Sequence, residues 1–311
     1  MTASSTPSMV ERALAVAGLT KLYGEKRALD DLTVALDDGV ACALVGPNGA
    51  GKTTLISILL GLIGADAGTA DIYGDPAGSI AARRHIGYLP DVPSFPGWMR
   101  ADEVLELALR LSRIDSTSVV GPLLRAVGLE GNRRPVRMFS RGMKQRLGLA
   151  QALVGSPRLL ILDEPTSALD PAGQRLFHDL VRSLRGRATV LYSTHSLDEA
   201  ERVCDSAIII NEGRLVRQSS MDDLIREGQG LSLDVSGPVD RLVDDLRAAA
   251  WIRSIDRAGN GPRETLTMRV TDLETAQREL PGIIAATGAA LHSLNPRGLA
   301  DIFLDLTGGA R

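Results

Sequence analysis

Residues 46–53 read Gly-Pro-Asn-Gly-Ala-Gly-Lys-Thr, which fits the pattern Gly, four residues, Gly-Lys-Ser/Thr that cradles a phosphate. An apolar run of strand length, Val40-Ala41-Cys42-Ala43-Leu44-Val45, precedes it. Thr54-Leu55-Ile56-Ser57-Ile58-Leu59-Leu60, which reads as a buried helix, comes after it. The motif therefore has the strand–loop–helix setting its mechanism needs. Gly46, Gly49 and Gly51 let the backbone curl through Pro47, Asn48 and Ala50 with its N–H groups turned inward. A helix starting near Lys52 adds the positive end of its dipole and carries Thr53 and Thr54 in its first turn. Lys52 places a point charge against the β- and γ-phosphates of a nucleotide, and the Thr53 hydroxyl is a ligand for Mg²⁺.

The 311 residues suffice for two domains, and with 23% charged and 44% hydrophobic residues the chain reads as an ordinary globular protein. A net charge of −3 gives no electrostatic case for nucleic acid or anionic lipid. The longest apolar stretch, residues 55–65, is interrupted by Ser57, Gly61 and Gly64 and falls short of the roughly 20 residues a bilayer crossing needs. Residues 1–12 form a Ser/Thr/Pro-rich lead-in without the apolar centre of a signal peptide, and are expected to be disordered. Cys42 and Cys204 lie beside apolar runs and read as small buried hydrophobes. The default location is cytoplasmic.

Residues 13–227 alternate short strand-like runs with helical ones. Leu159-Leu160-Ile161-Leu162, Thr189-Val190-Leu191-Tyr192-Ser193 and Ala207-Ile208-Ile209-Ile210 suit strands buried on both faces, so the expectation is an α/β domain with a largely parallel sheet. Between about 91 and 155 no strand is expected. Helical spacing covers residues 102–111, 118–127 and 142–153, a helical lobe inserted in the sheet domain. Composition shifts to a linker at Gly228-Gln229-Gly230. Beyond it, residues 231–235, 239–249, 251–256, 264–270, 272–287 and 290–294 take the order β-α-β-β-α-β, with a Gly-Asn-Gly-Pro turn between the middle strands. That order predicts a small ferredoxin-like α+β domain over residues 231–311.

The Leu159–Leu162 run ends in Asp163-Glu164-Pro165. Alone, this is as consistent with an acidic turn as with a site; beside a phosphate loop, Asp163 reads as a holder of Mg²⁺ through water and Glu164 as the group that polarises an attacking water. Thr194-His195 comes directly after another strand, where a neutral imidazole orients Glu164 and bonds the γ-phosphate. Phe139-Ser140-Arg141-Gly142-Met143 opens a helix with Ser140 as N-cap, an anion-binding arrangement that is common by itself.

The order of these pieces says more than any one of them. Phosphate loop, Ser-Arg-Gly helix start, strand with Asp-Glu, Ser167-Ala168-Leu169-Asp170 and Ser-Thr-His together resemble the ATP-binding subunits of ABC transporters, over about residues 13–227. The resemblance implies a P-loop NTPase fold, ATP and Mg²⁺ as ligands, and a second ATPase subunit across two sandwiched ATPs. Ser140 and Gly142 would then bind the γ-phosphate held by the other subunit, Asp170 would lie at that interface, and Tyr23 would stack on adenine. Two departures stand out. The family's Leu-Ser-Gly-Gly-Gln is here Phe139-Ser140-Arg141-Gly142-Met143, and the usual Gln after Ile86-Gly87-Tyr88-Leu89 is replaced by Pro90-Asp91, whose carboxylate can still ligate Mg²⁺ or its water. Both, with the tail Asp301-Ile302-Phe303-Leu304-Asp305-Leu306-Thr307-Gly308, resemble the export-type bacterial branch that handles drugs, antibiotics, lipids or polysaccharides.

The leading expectation is thus an ATP-hydrolysing subunit on the cytoplasmic face of the membrane, docked to a separately encoded integral membrane permease near Phe95, Trp98 and Met99. A soluble ABC-type ATPase acting on the ribosome or nucleic acid is the alternative; it usually has two cassettes or a long coiled-coil insert, and the low net charge counts against nucleic acid as a partner. A regulatory nucleotide sensor fits less well, because Glu164 and His195 are both present.

Overall fold

The computed structural model describes residues 12–259 and 261–306. The expected lead-in up to residue 11, Asn260 of the Gly-Asn-Gly-Pro turn, and Thr307 and Gly308 of the tail lie outside them. The chain divides into two compact units at Ser219/Ser220.

The first unit holds two sheets and a helical lobe. Its six-stranded sheet runs, from one edge, Arg214–Ser220, Ser206–Asn211, Ala41–Val45, Thr189–Thr194, Leu159–Asp163 and Ile86–Leu89. From Ser206–Asn211 to Ile86–Leu89 every neighbouring pair is parallel. Ala41–Val45, Leu159–Asp163 and Thr189–Thr194 are buried throughout, which explains their continuous apolar runs: such strands have helices or a second sheet on both sides. Val45 lies opposite Thr194, Asp163 opposite Ser193 and Leu89 opposite Leu162, so these strands end at a common level and their outgoing loops converge.

A second, four-stranded antiparallel sheet was not expected. It consists of Lys26–Asp37, Arg12–Tyr23, Ala67–Ile72 and Asp75–Pro76. Its period-2 alternation is disguised: the pairing of Arg12–Tyr23 with Lys26–Asp37 shifts register repeatedly, and Gly18 takes a φ of 60° at one of these shifts. The helix Lys52–Leu59 packs Leu55, Ile56 and Leu59 into one core with Leu14 and Ile72 of this sheet and Leu44 and Ile208 of the parallel one.

Between Leu89 and Leu159 there is no strand, only the helices Ala101–Leu111, Val120–Ala126 and Arg141–Leu153 and a 3₁₀ turn Val136–Met138. Ala101–Leu111 turns Val104, Leu105, Ala108 and Leu109 onto Leu124, Leu147 and Ala150, giving the lobe its own core. Its N-terminus is fixed by Glu103, whose carboxylate accepts the Arg100 N–H at 2.7 Å.

The second unit is built on a four-stranded antiparallel sheet in the order Ile252–Ala258, Glu264–Val270, Gly230–Ser236, Ala290–Pro296. With the helices Val239–Arg247 and Leu273–Thr287 between strands, this is the ferredoxin-like order. Leu231, Leu233, Val235, Leu266 and Met268 meet Leu242, Leu246, Leu280 and Ile284 in its core. Two further helices, Met221–Gly228 and Leu299–Leu306, frame it in sequence and pack on each other, with Ile302 so close to Gly228 that any side chain there would clash. Composition groups residues 221–227 with the first region. In the structure they belong to the second unit, because their helix packs on Leu299–Leu306.

Candidate functional site

The loop 46–51 leaves the Ala41–Val45 strand and delivers Lys52 at the start of its helix. Glycine is required at two points by close approach. A Cβ on Gly46 would stand 2.5 Å from the Ile210 carbonyl oxygen, and one on Gly51, at φ 107°, would stand 2.6 Å from that of Ala28. Lys52 is 7% exposed; its ammonium donates to the Gly46 carbonyl at 2.6 Å and stands 3.6 Å from Glu164 Oε1.

Beside the loop opens a cleft of about 390 Å³. It is lined by Pro47, Asn48, Gly49, Ala50, Gly51, Lys52, Thr53 and Thr54 of the loop and helix start, by Asp91, Asp163 and Glu164 from the strand ends, and by Tyr23, Lys26 and Ala28. Tyr23, half exposed, stands at the turn between the first two antiparallel strands, within reach of a planar group entering from solvent.

Asp163 and Glu164 share one anchor. Ser193 Oγ donates to Asp163 Oδ1 at 2.6 Å and accepts the Glu164 N–H at 3.1 Å. Burial pushes the Asp163 carboxyl above the usual carboxylate range, with the charge of Asp91 adding to this and the Ser193 bond opposing it. Glu164 has φ 45°, a left-handed conformation that costs a residue with a Cβ roughly 1–3 kcal/mol and tends to be kept at functional positions. Its Oε2 lies 2.9 Å from His195 Nδ1.

Asp91 faces the cleft and is also held from outside it: Ser167 Oγ donates to its Oδ1 at 2.9 Å, and the Arg141 guanidinium lies 3.9 Å away. The two departures from the family pattern thus meet. Nearby, the fully buried Gln145 amide donates to the Pro90 carbonyl at 3.4 Å, joining lobe to sheet. Ser193 and Ser167 lie in motifs the sequence shows, but their bonds to Asp163, Glu164 and Asp91, and that of Gln145 to Pro90, join residues distant in the chain and leave no local signal.

Other expected residues do not line the cleft. Ser140 caps its helix by accepting the Met143 N–H at 3.2 Å, and Asp170 caps Pro171–Ser183 by accepting the Gly173 N–H at 2.8 Å. Gly142 packs under the loop before Asp170: a Cβ there would meet the Ala168 carbonyl at 3.2 Å. The helix start and the Asp170 loop therefore meet at Gly142 and Ala168, and none of Ser140, Gly142 and Asp170 lines the cleft. Phe95 and Met99 pack on the lobe's core, whereas Trp98 is exposed.

A Gly-rich loop with a buried lysine, a strand-end carboxylate pair and a histidine on the second carboxylate are the parts needed to hold a nucleoside triphosphate and direct water at it. Comparison with known proteins agrees. Residues 29–167 match the family described as ABC transporter. An uncharacterized ABC transporter ATP-binding protein of Bacillus subtilis (strain 168), YxlF, is 41% identical over 220 residues, covering 70% of this chain and 74% of that protein. The Nod factor export ATP-binding protein I of Burkholderia lata is 37% identical over 297 residues, 93% of this chain and 94% of its own length. Among solved structures, an ATP-binding subunit of an ABC transporter superposes with a TM-score of 0.63 at 33% identity, covering 68% of this chain and 91% of its own. An ATP-binding cassette solved as a dimer with ADP and Pi shares the fold, with a TM-score of 0.62 at 24% identity, covering 67% of this chain and 98% of its own. The chain therefore belongs to the ABC transporter family, as an ATP-binding subunit and an ATPase.

Proposed function

We propose that the chain is the motor subunit of an exporter: it hydrolyses ATP on the cytoplasmic face of the cell membrane and drives a separately encoded integral membrane permease. Among the described residues no helix is long and apolar enough to cross a membrane, so a transport role needs such a partner. Export, rather than import, is supported by the likeness to Nod factor export proteins, which runs through the second unit as well as the cassette. The ribosome-directed alternative draws no support from these relatives.

The observation that carries the catalytic reading is the chain of contacts Lys52–Glu164–His195, closed within 3.6 Å at the outgoing ends of three neighbouring parallel strands. In this reading the loop N–H groups and Lys52 hold the β- and γ-phosphates, and Tyr23 stacks on adenine. Water attacks the γ-phosphorus, the bond to the β,γ-bridging oxygen breaks, and ADP leaves. Glu164 accepts the proton of the attacking water while the imidazole of His195 fixes the orientation of its carboxylate.

Thr53, Asp91 and Asp163 would hold Mg²⁺. They fit: all are hard oxygen donors on one cleft, and the buried Asp163 carboxyl is a negative charge that a cation would relieve. When bound, the ion supplies charge neutralisation to the phosphates. Ser140, Gly142 and Asp170, none of which lines their own cleft, would serve a second ATPase subunit.

Glu164→Gln tests this reading. The amide keeps shape and loses basicity, so turnover should fall roughly 10²–10⁴-fold while ATP binding persists and an ATP-held dimer accumulates. Normal turnover by this variant, monomeric in ATP, sinks the assignment.

A further inference from the structure

Behind Glu164 and His195, away from the cleft, lies a dense polar cluster of buried hydroxyls. Thr166 is 4% exposed, and Tyr192 and Thr194 are fully buried. A buried hydroxyl needs an acceptor, and all three find it in one side chain. Tyr192 OH donates to Glu199 Oε1 at 2.6 Å, Thr166 Oγ1 donates to the same oxygen, and Thr194 Oγ1 donates to Glu199 Oε2 at 2.7 Å. Glu199 itself is fixed in the helix Leu197–Glu201, whose N-cap Ser196 accepts the Glu199 N–H at 3.4 Å; the Ser196 N–H in turn donates to Thr194 Oγ1 at 3.1 Å.

Thr166 lies in the turn just after Glu164, and Thr194 immediately precedes His195. One carboxylate therefore ties together the two segments whose side chains meet at the 2.9 Å bond between His195 and Glu164. Glu164 also needs outside support, because its left-handed backbone is stable only when its surroundings determine it. The geometry points to Glu199 as a positioning residue for ATP hydrolysis: it clamps the turn after Glu164 to the strand end before His195 and so sets the alignment of that pair. This rests on the reading of Glu164 as the group that accepts water's proton.

A carboxylate suits the task because it is acceptor-only, with room for three donors on two oxygens. A glutamine offers one acceptor oxygen and an NH₂. The hydroxyls can rotate to accept from that NH₂, so the clamp keeps much of its geometry. Alanine removes it.

The test is steady-state ATPase activity and ATP affinity of the full chain with Glu199→Ala, Glu199→Gln and Thr194→Val, and with Glu199→Ala combined with His195→Ala. Misplacement of a reacting group by about 1 Å can cost 10²-fold, so Glu199→Ala should lower kcat about 10- to 100-fold with ATP affinity unchanged. Glu199→Gln should restore most of the loss. Added to His195→Ala, Glu199→Ala should cost little more, because the bond it aligns is already gone. If the alanine variant does not fold, Thr194→Val, which at nearly constant shape deletes one donor to Glu199 and the acceptor of the Ser196 N–H, should show a smaller loss of the same kind. Full turnover by Glu199→Ala overturns the proposal. So does a loss that multiplies in the double variant, or one that falls on ATP affinity as heavily as on kcat. A dead Glu164→Gln beside a fully active Glu199→Ala removes only the positioning role; an active Glu164→Gln removes the catalytic reading beneath it.

Discussion

The two units use their sheets in opposite ways. In the first, the strands from Ser206–Asn211 to Ile86–Leu89 are parallel and their outgoing ends lie at one level, so the phosphate loop, Asp91, Asp163, Glu164 and His195 are gathered by topology alone. In the second, every neighbour in the sheet is antiparallel, so adjacent strands send their outgoing loops to opposite ends. Its polar residues satisfy one another in mid-sheet, as Asp234 does by accepting from Thr265 and Ser293 on the strands at either side, both at 2.8 Å. A parallel sheet concentrates unspent polar groups at one rim, whereas this antiparallel one spends them internally. Chemistry is therefore expected at the rim of the first unit.

The strongest way to break that contrast is at the rim itself. Lys52→Ala removes a charge-assisted contact worth roughly 1.5–3 kcal/mol, equivalent to about a ten- to hundredfold loss of ATP affinity, and hydrolysis should fall further still. Isothermal titration with ATP and phosphate-release assays measure the two. Wild-type turnover would mean that the loop around Lys52 is an ordinary turn and the rim carries no nucleotide chemistry.

The contrast sharpens if the second unit can be weakened alone. Leu233 is fully buried in its core, and Leu233→Ala should cost about 2–5 kcal/mol there. Scanning calorimetry should show one transition move down while ATP affinity holds. A matching loss of ATP affinity would show that the two units stand or fall together, and the division at Ser219/Ser220 would have no thermodynamic meaning.

These expectations rest on parts of the molecule that were legible to different degrees. Gly46 to Thr53, Asp163-Glu164 and Thr194-His195 could be read from sequence because backbone curvature and strand ends demand particular residues at fixed local spacing. The ferredoxin-like order was legible because turn residues punctuate it and its two central strands, Gly230–Ser236 and Glu264–Val270, alternate buried with less buried residues. The antiparallel sheet of residues 12–76 was not, since repeated register shifts break its alternation. Nor were the carboxylate of Glu199, the Ser193 bridge or the Asp91–Ser167 bond. Each is a side-chain contact formed only when strand ends distant in sequence come level, and no local rule announces it.

The smallest expected effect concerns the internally spent polar groups of the second unit. Hydrogen bonds from Thr265, then Ser293, hold the Asp234 carboxyl below its ordinary value of 3.8, with the positive charge of Arg263 and of His292 acting the same way. A carboxylate depressed in the folded state contributes stability that is whole above the unfolded value and is lost as pH falls through the lower folded one. The second unit should accordingly lose part of its stability on acidification below 3.8, seen as a lower melting temperature, and Asp234→Asn should flatten that part of the curve. At neutral pH the variant should be slightly less stable, since its amide keeps one acceptor oxygen for two donors. Thermal melts of the full chain across the acid range, wild type against Asp234→Asn, measure both. Parallel curves would mean that Asp234 titrates alike in the folded and unfolded chain, so that its bonds to Thr265 and Ser293 add nothing that pH can remove. The polar groups of this sheet would then be merely solvated, and the contrast with the rim of the first unit would rest on strand direction alone.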